Sequence, residues 1–206
     1  MKLVIFGATG GTGQEVVRQA VESGHTVTAF VRDPSRLNDE NGQVKVITGN
    51  INDPEAVAEG VSGQDAVVCA LGSRELKATS VRTDGTINII QAMQDKNLKR
   101  LVVVSAMGIG ESWDTLPLAS KLFFAIVLRS ARIDHESQEA AVRDSGLDWT
   151  IIRPSGLTDG PGTGEYQYGE NIKTNSSSIS RADVADLILR SLEDSSLIGK
   201  APTISG

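Results

Sequence analysis

The sequence predicts a doubly wound α/β fold: a mostly parallel sheet with helices on both faces. Three observations predict it. Short apolar, β-branched runs alternate with stretches of helical period along the whole chain. A Ser-Gly pair closes a helical stretch just before a new apolar run at Ser23-Gly24, Ser62-Gly63 and Ser145-Gly146. That is the punctuation of a helix-to-strand junction in a parallel sheet. The first strand, finally, runs straight into three spaced glycines and a helix.

Lys2 to Phe6 is apolar and β-branched, which predicts a buried strand. Gly7, Gly10 and Gly13 follow, and from Gln14 the apolar residues Val16, Val17, Ala20 and Val21 fall at helical spacing up to Ser23. Thr26 to Val31 and Val44 to Thr48 are the second and third strands. Pro54 to Val61 is a short helix, with Asp53 placed to cap it. Ala66 to Leu71 is strand four, Val81 to Lys96 a helix, and Arg100 to Ser105 strand five. A long helical region ends near Asp144, and Trp149 to Arg153 is strand six. Thr158 to Ser178 is rich in Gly, Ser, Thr and Asn and predicts a loop or a small hairpin. Arg181 to Glu193 is a helix with Ser180 as N-cap, and Ala201 to Ile204 a last strand. With no internal repeat and no low-complexity linker, the expectation is one domain over 1–206, with substrate-side loop regions near 106–125 and 155–180.

The 206 residues suffice for a sizeable core, and 39% hydrophobic with 22% charged residues describes an ordinary soluble chain. A net charge of −6 argues against non-specific binding to nucleic acid or to an anionic membrane. Cys69 is the only cysteine, so no internal disulfide can form and a reducing compartment is expected. Glycine arrives too early for a signal peptide, and no apolar run reaches transmembrane length. The expected setting is the cytoplasm, and the expected state a monomer or weak dimer acting on a small molecule.

Strand, glycine turn, helix is the context that a phosphate-binding loop requires. Gly7 permits the turn out of the strand, Gly10 lets backbone N–H groups approach a pyrophosphate, and Gly13 lets the helix pack on the sheet. The helix N-terminus offers unpaired N–H donors and a positive dipole end. These features predict a single-domain Rossmann fold that binds a dinucleotide through Gly7, Thr9, Gly10, Gly11, Thr12 and Gly13. The spacing GxxGxxG is the variant typical of short-chain dehydrogenase-like chains. At the tip of strand two, where NAD-binding folds place an acidic residue on the ribose, the chain reads Arg32-Asp33-Pro34-Ser35-Arg36. Two guanidiniums there suit a 2′-phosphate, which Arg binds in a bidentate, charge-assisted way. NADPH is therefore the expected cofactor, with Asp33 as the counter-argument, since a turn could present it to the ribose.

In such folds the ligand lies at the carboxyl ends of the strands. Those ends include Asn50, Ile51, Leu71, Gly72, Ser73 and Pro154, all candidate cofactor contacts, and Ser105, the candidate catalytic residue where nicotinamide and substrate should meet. Tyr166 and Tyr168 are the only tyrosines, and Glu170 and Ile172 stand where a Tyr-x-x-x-Lys pair would place its lysine. His25 is expected at a turn away from this rim, His135 as a surface or packing residue, and Cys69 in the core. No His, Cys, Asp or Glu cluster has metal-ligand spacing. A site without a strong general acid suits an acceptor that takes hydride with protons from water, such as a flavin or a conjugated tetrapyrrole.

Phe6-Gly-Ala-Thr-Gly-Gly-Thr-Gly13, Val31-Arg-Asp-Pro-Ser-Arg-Leu37, Gly63-Gln-Asp-Ala-Val67, Leu71-Gly72 and Ser145-Gly-Leu147 together resemble the biliverdin-IXβ reductase or NADPH flavin reductase family, atypical short-chain dehydrogenases close to NmrA-like proteins. The resemblance covers nearly the whole chain. It implies NADPH bound through Thr12, Arg32, Ser35 and Arg36, further contacts from Asn50, Ile51, Gly72 and Ser73, and Ser105 beside the nicotinamide. It also implies a flavin or linear tetrapyrrole as substrate rather than a tightly held group. The chain departs from the family at Asn50, where Asp is usual, and at Glu139 and Gly156, where animal members carry histidines. Its stretch Gly108 to Arg132, containing the apolar run Leu122 to Leu128, is longer and more apolar. The expected function is thus an NADPH-dependent flavin reductase. The alternatives are an NmrA-like NADP(H)-sensing regulator and another atypical dehydrogenase or epimerase.

Overall fold

The computed structural model describes residues 1–39, 42–72, 80–110, 129–170, 172–174 and 176–206. Among these described residues ten strands appear in chain order: β1 Lys2–Phe6, β2 Thr26–Val31, β3 Lys45–Thr48, β4 Ala66–Cys69, β5 Arg100–Val104, β6 Asp148–Pro154, β7 Gly156–Thr158, β8 Gln167–Gly169, β9 Ser178–Ser180 and β10 Thr203–Ser205. The helices are α1 Gly11–Glu22, α2 Pro54–Val61, α3 Val81–Asp95, α4 Arg129–Arg143 and α5 Arg181–Glu193.

Eight strands form one sheet in the order β3-β2-β1-β4-β5-β6-β10-β8, and β7 pairs with β9 in a small second sheet. The pairs from β3 to β10 are all parallel, while β8 joins antiparallel to β10. The order reverses between β1 and β4, which opens a crevice at the carboxyl ends of those strands. Strands covered on both faces read as unbroken apolar runs, and β1 shows why. Its Leu3 and Ile5 pack with Val16, Val17 and Ala20 of α1 and Val184, Leu187 and Ile188 of α5. Its Val4 and Phe6 face the opposite layer, with Val57 of α2, Ile89 and Met93 of α3, and Val142 of α4. All four β1 side chains are fully buried.

Local signals set several element ends. Asp53 caps α2 by accepting from the N–H groups of Glu55 (3.0 Å) and Ala56 (3.4 Å). Ser180 caps α5, its Oγ accepting from Asp183 N at 2.9 Å and donating to Asp183 Oδ2 at 2.7 Å. The stretch expected as a loop or small hairpin is mostly loop among its described residues, and its short strands do not form a hairpin with each other. β7 pairs in parallel with β9, whereas β8 extends the main sheet. Asp183 also accepts from Thr163 N (2.8 Å) and Gly164 N (2.9 Å), which ties this stretch to the start of α5. The apolar run 122–128 lies outside the described residues, and no described helix is long and apolar enough to cross a membrane.

Candidate dinucleotide site and acceptor pocket

Because β1 to β6 run parallel, their carboxyl ends share one rim, and the loops that carry the described candidate residues start from it. Gly7 turns the chain out of β1 with φ +83°, and a Cβ on it would stand 2.3 Å from Ala70 O. A Cβ on Gly13 would stand 2.1 Å from Gly7 O. The fold itself therefore demands glycine at both positions. Gly10 differs: its nearest obstacle is Gly7 O at 3.3 Å, which a slight shift relieves. Its missing side chain leaves room outside the protein, above a helix start that no side chain caps. An anion fits there, since the first N–H groups of a helix lack intrahelical partners. Thr12 is buried in the first turn of α1, with Thr9 partly exposed in the loop before it.

The tip of β2 gives Asp33 a local role. Its carboxylate caps the turn Pro34–Arg36, accepting from Ser35 N at 3.1 Å and Ser35 Oγ at 2.7 Å. The Ser35 hydroxyl and amide hold Asp33 below the usual carboxylate range. Asp33 and the Ser35 proton are thus engaged with each other. Arg32 and Arg36 are exposed, and neither has an ion-pair partner among the described residues. Two unpaired guanidiniums on one loop fit a phosphate.

Asn50 is exposed in a turn, its Oδ1 accepting from Asn52 N at 3.1 Å. Ile51 is buried, and its carbonyl accepts from Asn88 Nδ2 at 2.9 Å, so its side chain belongs to the core. Leu71 is half-buried against Gly85 of α3, and Gly72 is exposed, with the nearest atom to a Cβ there being Arg82 Nη2 at 4.0 Å. Pro154 is buried at the end of β6, its carbonyl accepting from Met107 N at 2.9 Å. Ser73 lies outside the described residues.

Ser105 follows β5 directly, and its surroundings are the main finding of the site. Its Oγ donates to Glu139 Oε1 at 2.7 Å and lies 3.4 Å from His135 Nδ1. Glu139 Oε1 also accepts from Arg153 Nε at 3.0 Å, and Oε2 from Arg153 Nη2 at 2.5 Å. Side-chain exposures of 3% and 4% make this a buried, side-on ion pair, the geometry in which a buried pair is tolerated. Gly110 closes over it with φ +55°, and a Cβ there would come 2.5 Å from Arg153 Nη2. His135 and Glu139 are four residues apart on α4 and so share a face. Asp134 sets how α4 sits: it accepts from Thr83 N (3.0 Å), Thr83 Oγ1 (2.8 Å) and Arg82 Nη1 (3.2 Å) at the start of α3.

His135, expected as a surface or packing residue, is half-buried and packs beside Ser105. Burial, then the Arg82 charge, pushes its pKa down to about 4. It is neutral at pH 7 and a poor acid. Tyr166 serves no better: its hydroxyl donates to Asp186 at 2.5 Å, and burial together with that carboxylate pushes its pKa up. A proton-donating phenol needs the opposite shift. Cys69 is buried as expected, its thiol pushed up by burial, and His25 sits beside the N-terminal amine at 3.2 Å. Among the described residues no group of His, Cys, Asp or Glu could hold a metal ion. Sequence reading missed the joint role of His135, Glu139 and Arg153, although the spacing of four on α4 and the strand-end arginine were both visible.

The crevice, the glycine loop with its open Gly10 and the unpaired arginines define a dinucleotide-binding Rossmann protein. Residues 7–195 match the NAD(P)H-binding family, and the chain belongs to it. A Bacillus subtilis relative described as an uncharacterized sugar epimerase, YhfK, is 28% identical over 98% of this chain and 92% of its own. Among solved structures, ChuY from Escherichia coli O157:H7, described as an anaerobilin reductase, has a TM-score of 0.84 at 25% identity, covering 99% of this chain and 96% of that one. A Veillonella parvula short-chain dehydrogenase/reductase, solved in complex with NADP, has a TM-score of 0.83 at 21% identity over 100% of this chain and 94% of its own. The fold and the membership of an NAD(P)H-binding family are thereby shown.

Proposed function

We propose that this chain is an NADPH-dependent reductase of free flavins and of biliverdin-type linear tetrapyrroles. The observation that carries the reading is the Ser105 hydroxyl, held by Glu139 at 2.7 Å on the same rim as the glycine loop and the unpaired Arg32 and Arg36. Arg32 and Arg36 would hold the 2′-phosphate, the α1 N-terminus the pyrophosphate, and the open backbone at Gly72 the middle of the dinucleotide. When bound, the reduced cofactor supplies a hydride. Ser105, fixed by Glu139 and Arg153, orients the reacting groups, while His135 beside it stays neutral. No described residue at the site is tuned as an acid, so the reduced acceptor draws its proton from water. A flavin or a conjugated bilin tolerates that, and the similarity to an anaerobilin reductase supports a bilin as second acceptor. The resemblance to biliverdin-IXβ reductases supports the same acceptor classes.

A second reading, an NADP(H)-responsive regulator, draws on the same missing acid. NADPH oxidation by purified protein with FMN, against NADH and a no-acceptor control, separates the two. Turnover that prefers NADPH is expected, and biliverdin would be tested next. Tight NADPH binding without turnover on either acceptor would favour the regulator.

A further inference from the structure

We propose that Arg181, the first residue of α5, is a pyrophosphate-binding residue of the dinucleotide site, and that Asp159 holds its guanidinium until the phosphate takes it. The inference rests on the cofactor reading above and deepens it. Gly11, the first residue of α1, supplies the first observation. A Cβ on Gly11 would stand 2.7 Å from both Cδ and Nε of Arg181 and 3.4 Å from its Cζ. Gly11 has no left-handed φ, so its backbone does not require glycine. The space is required by Arg181, whose side chain crosses the first turn of α1.

The charge balance there supplies the second observation. The uncapped start of α1 carries the positive end of the helix dipole, an unfavourable neighbour for a cation. The two positive features converge on the loop where a Rossmann fold receives a pyrophosphate. The ion-pair partner of Arg181 is Asp159, with Nη1 to Oδ1 at 2.5 Å and an Asp159 side chain 87% exposed. An ion pair with so exposed a partner is weak and exchangeable, whereas a phosphate offers the planar fork charge-assisted, bidentate bonds. Nor is Arg181 needed to tether α5 to α1, because Gln19 Nε2 already donates across that contact to Ala182 O at 2.8 Å.

The test is titration of NADPH, NADH and adenosine 2′-monophosphate into wild type, Arg181→Gln, Asp159→Asn and Gly11→Ala. Arg181→Gln should weaken NADPH and NADH by the same factor, about tenfold or more, because both carry the pyrophosphate. Adenosine 2′-monophosphate, which lacks it, should bind wild type and Arg181→Gln alike. Asp159→Asn should bind both dinucleotides at least as tightly as wild type. Gly11→Ala, which displaces the side chain while keeping the arginine, should reproduce the loss, with no further loss when Arg181→Gln is added to it. Dinucleotide binding by Arg181→Gln within twofold of wild type would overturn the inference. So would a loss in Asp159→Asn equal to that in Arg181→Gln, since it would make the pair a structural tether. Wild type that binds neither dinucleotide would instead remove the cofactor reading itself.

Discussion

Glu139 receives the Ser105 hydroxyl at 2.7 Å and the Arg153 fork at 3.0 and 2.5 Å, with the Arg143 guanidinium at 3.8 Å from Oε2. With its proton directed to Glu139, Ser105 Oγ presents lone pairs to His135 and to whatever occupies the rim. Ser105→Ala should slow single-turnover hydride transfer about ten- to a hundredfold by loosening the reacting geometry, with little change in NADPH affinity. An unaltered rate, followed by stopped-flow absorbance, would leave Ser105 a structural role only. His135 gives a pH-dependent counterpart. Its native pKa of about 4 lies below the ordinary value of 6.5. Between those values the unfolded chain binds more protons, so stability falls as pH falls through this window, by up to about 1.4 kcal/mol per pH unit. Above pH 6.5 the contribution is constant. Urea unfolding at pH 7 and pH 4.5 should show a smaller acid loss for His135→Gln than for wild type; equal losses would refute the buried neutral histidine.

At the scale of elements, the start of α5 binds a cap and a loop together. Asp183 lies in the first turn, exchanges hydrogen bonds with Ser180 and accepts from Thr163 and Gly164. Although burial opposes ionisation, the Gly164, Ser180 and Thr163 donors hold Asp183 below the usual carboxylate range. Asp183→Ala should therefore cost about 1–2 kcal/mol, as a lost cap does, and increase proteolysis near residue 163. Stability loss with unchanged cleavage there would show that Asp183 supports the Ser180 cap without holding the loop. Ser180 was legible in the sequence because its signal is local, as was Asp53 before Pro54. The bounds of α2 and α5 were read correctly for that reason. The strands between residues 156 and 180 were not, because each is three residues long and pairs with a distant segment, Gly156 with Ser178 and Gln167 with Ser205. The same limit hid the cluster around Ser105. A period of four puts His135 and Glu139 on one face, yet only the fold brings Ser105, 34 residues before Glu139, against it.

For the molecule as a whole, the reversal of strand order between β1 and β4 splits the sheet into two halves. β1 to β3 with α1 and α2 carry the glycine loop and the arginines, while β4 to β6 with α3 and α4 carry Ser105 and its partners. A ligand spanning the crevice couples both halves and stabilises the native state by mass action. At one hundred times its Kd, NADPH should add about 2.7 kcal/mol and raise Tm by roughly 5–10 °C. NADH at the same concentration should raise it less. The double variant Arg32→Ala, Arg36→Ala should bring the two shifts together, read by differential scanning fluorimetry. Equal shifts for both cofactors with the wild-type protein would remove the 2′-phosphate argument.

The stacked backbones of Ala70, Gly7 and Gly13 have a kinetic consequence. With 2.3 and 2.1 Å left where side chains would stand, the loop has little freedom to leave the shape it has here. Its conformational entropy is lost during folding, not at the moment of encounter. Dinucleotide association should then follow a single concentration-dependent phase, without a slow isomerisation. Differences in affinity among ligands and variants should appear as differences in residence time.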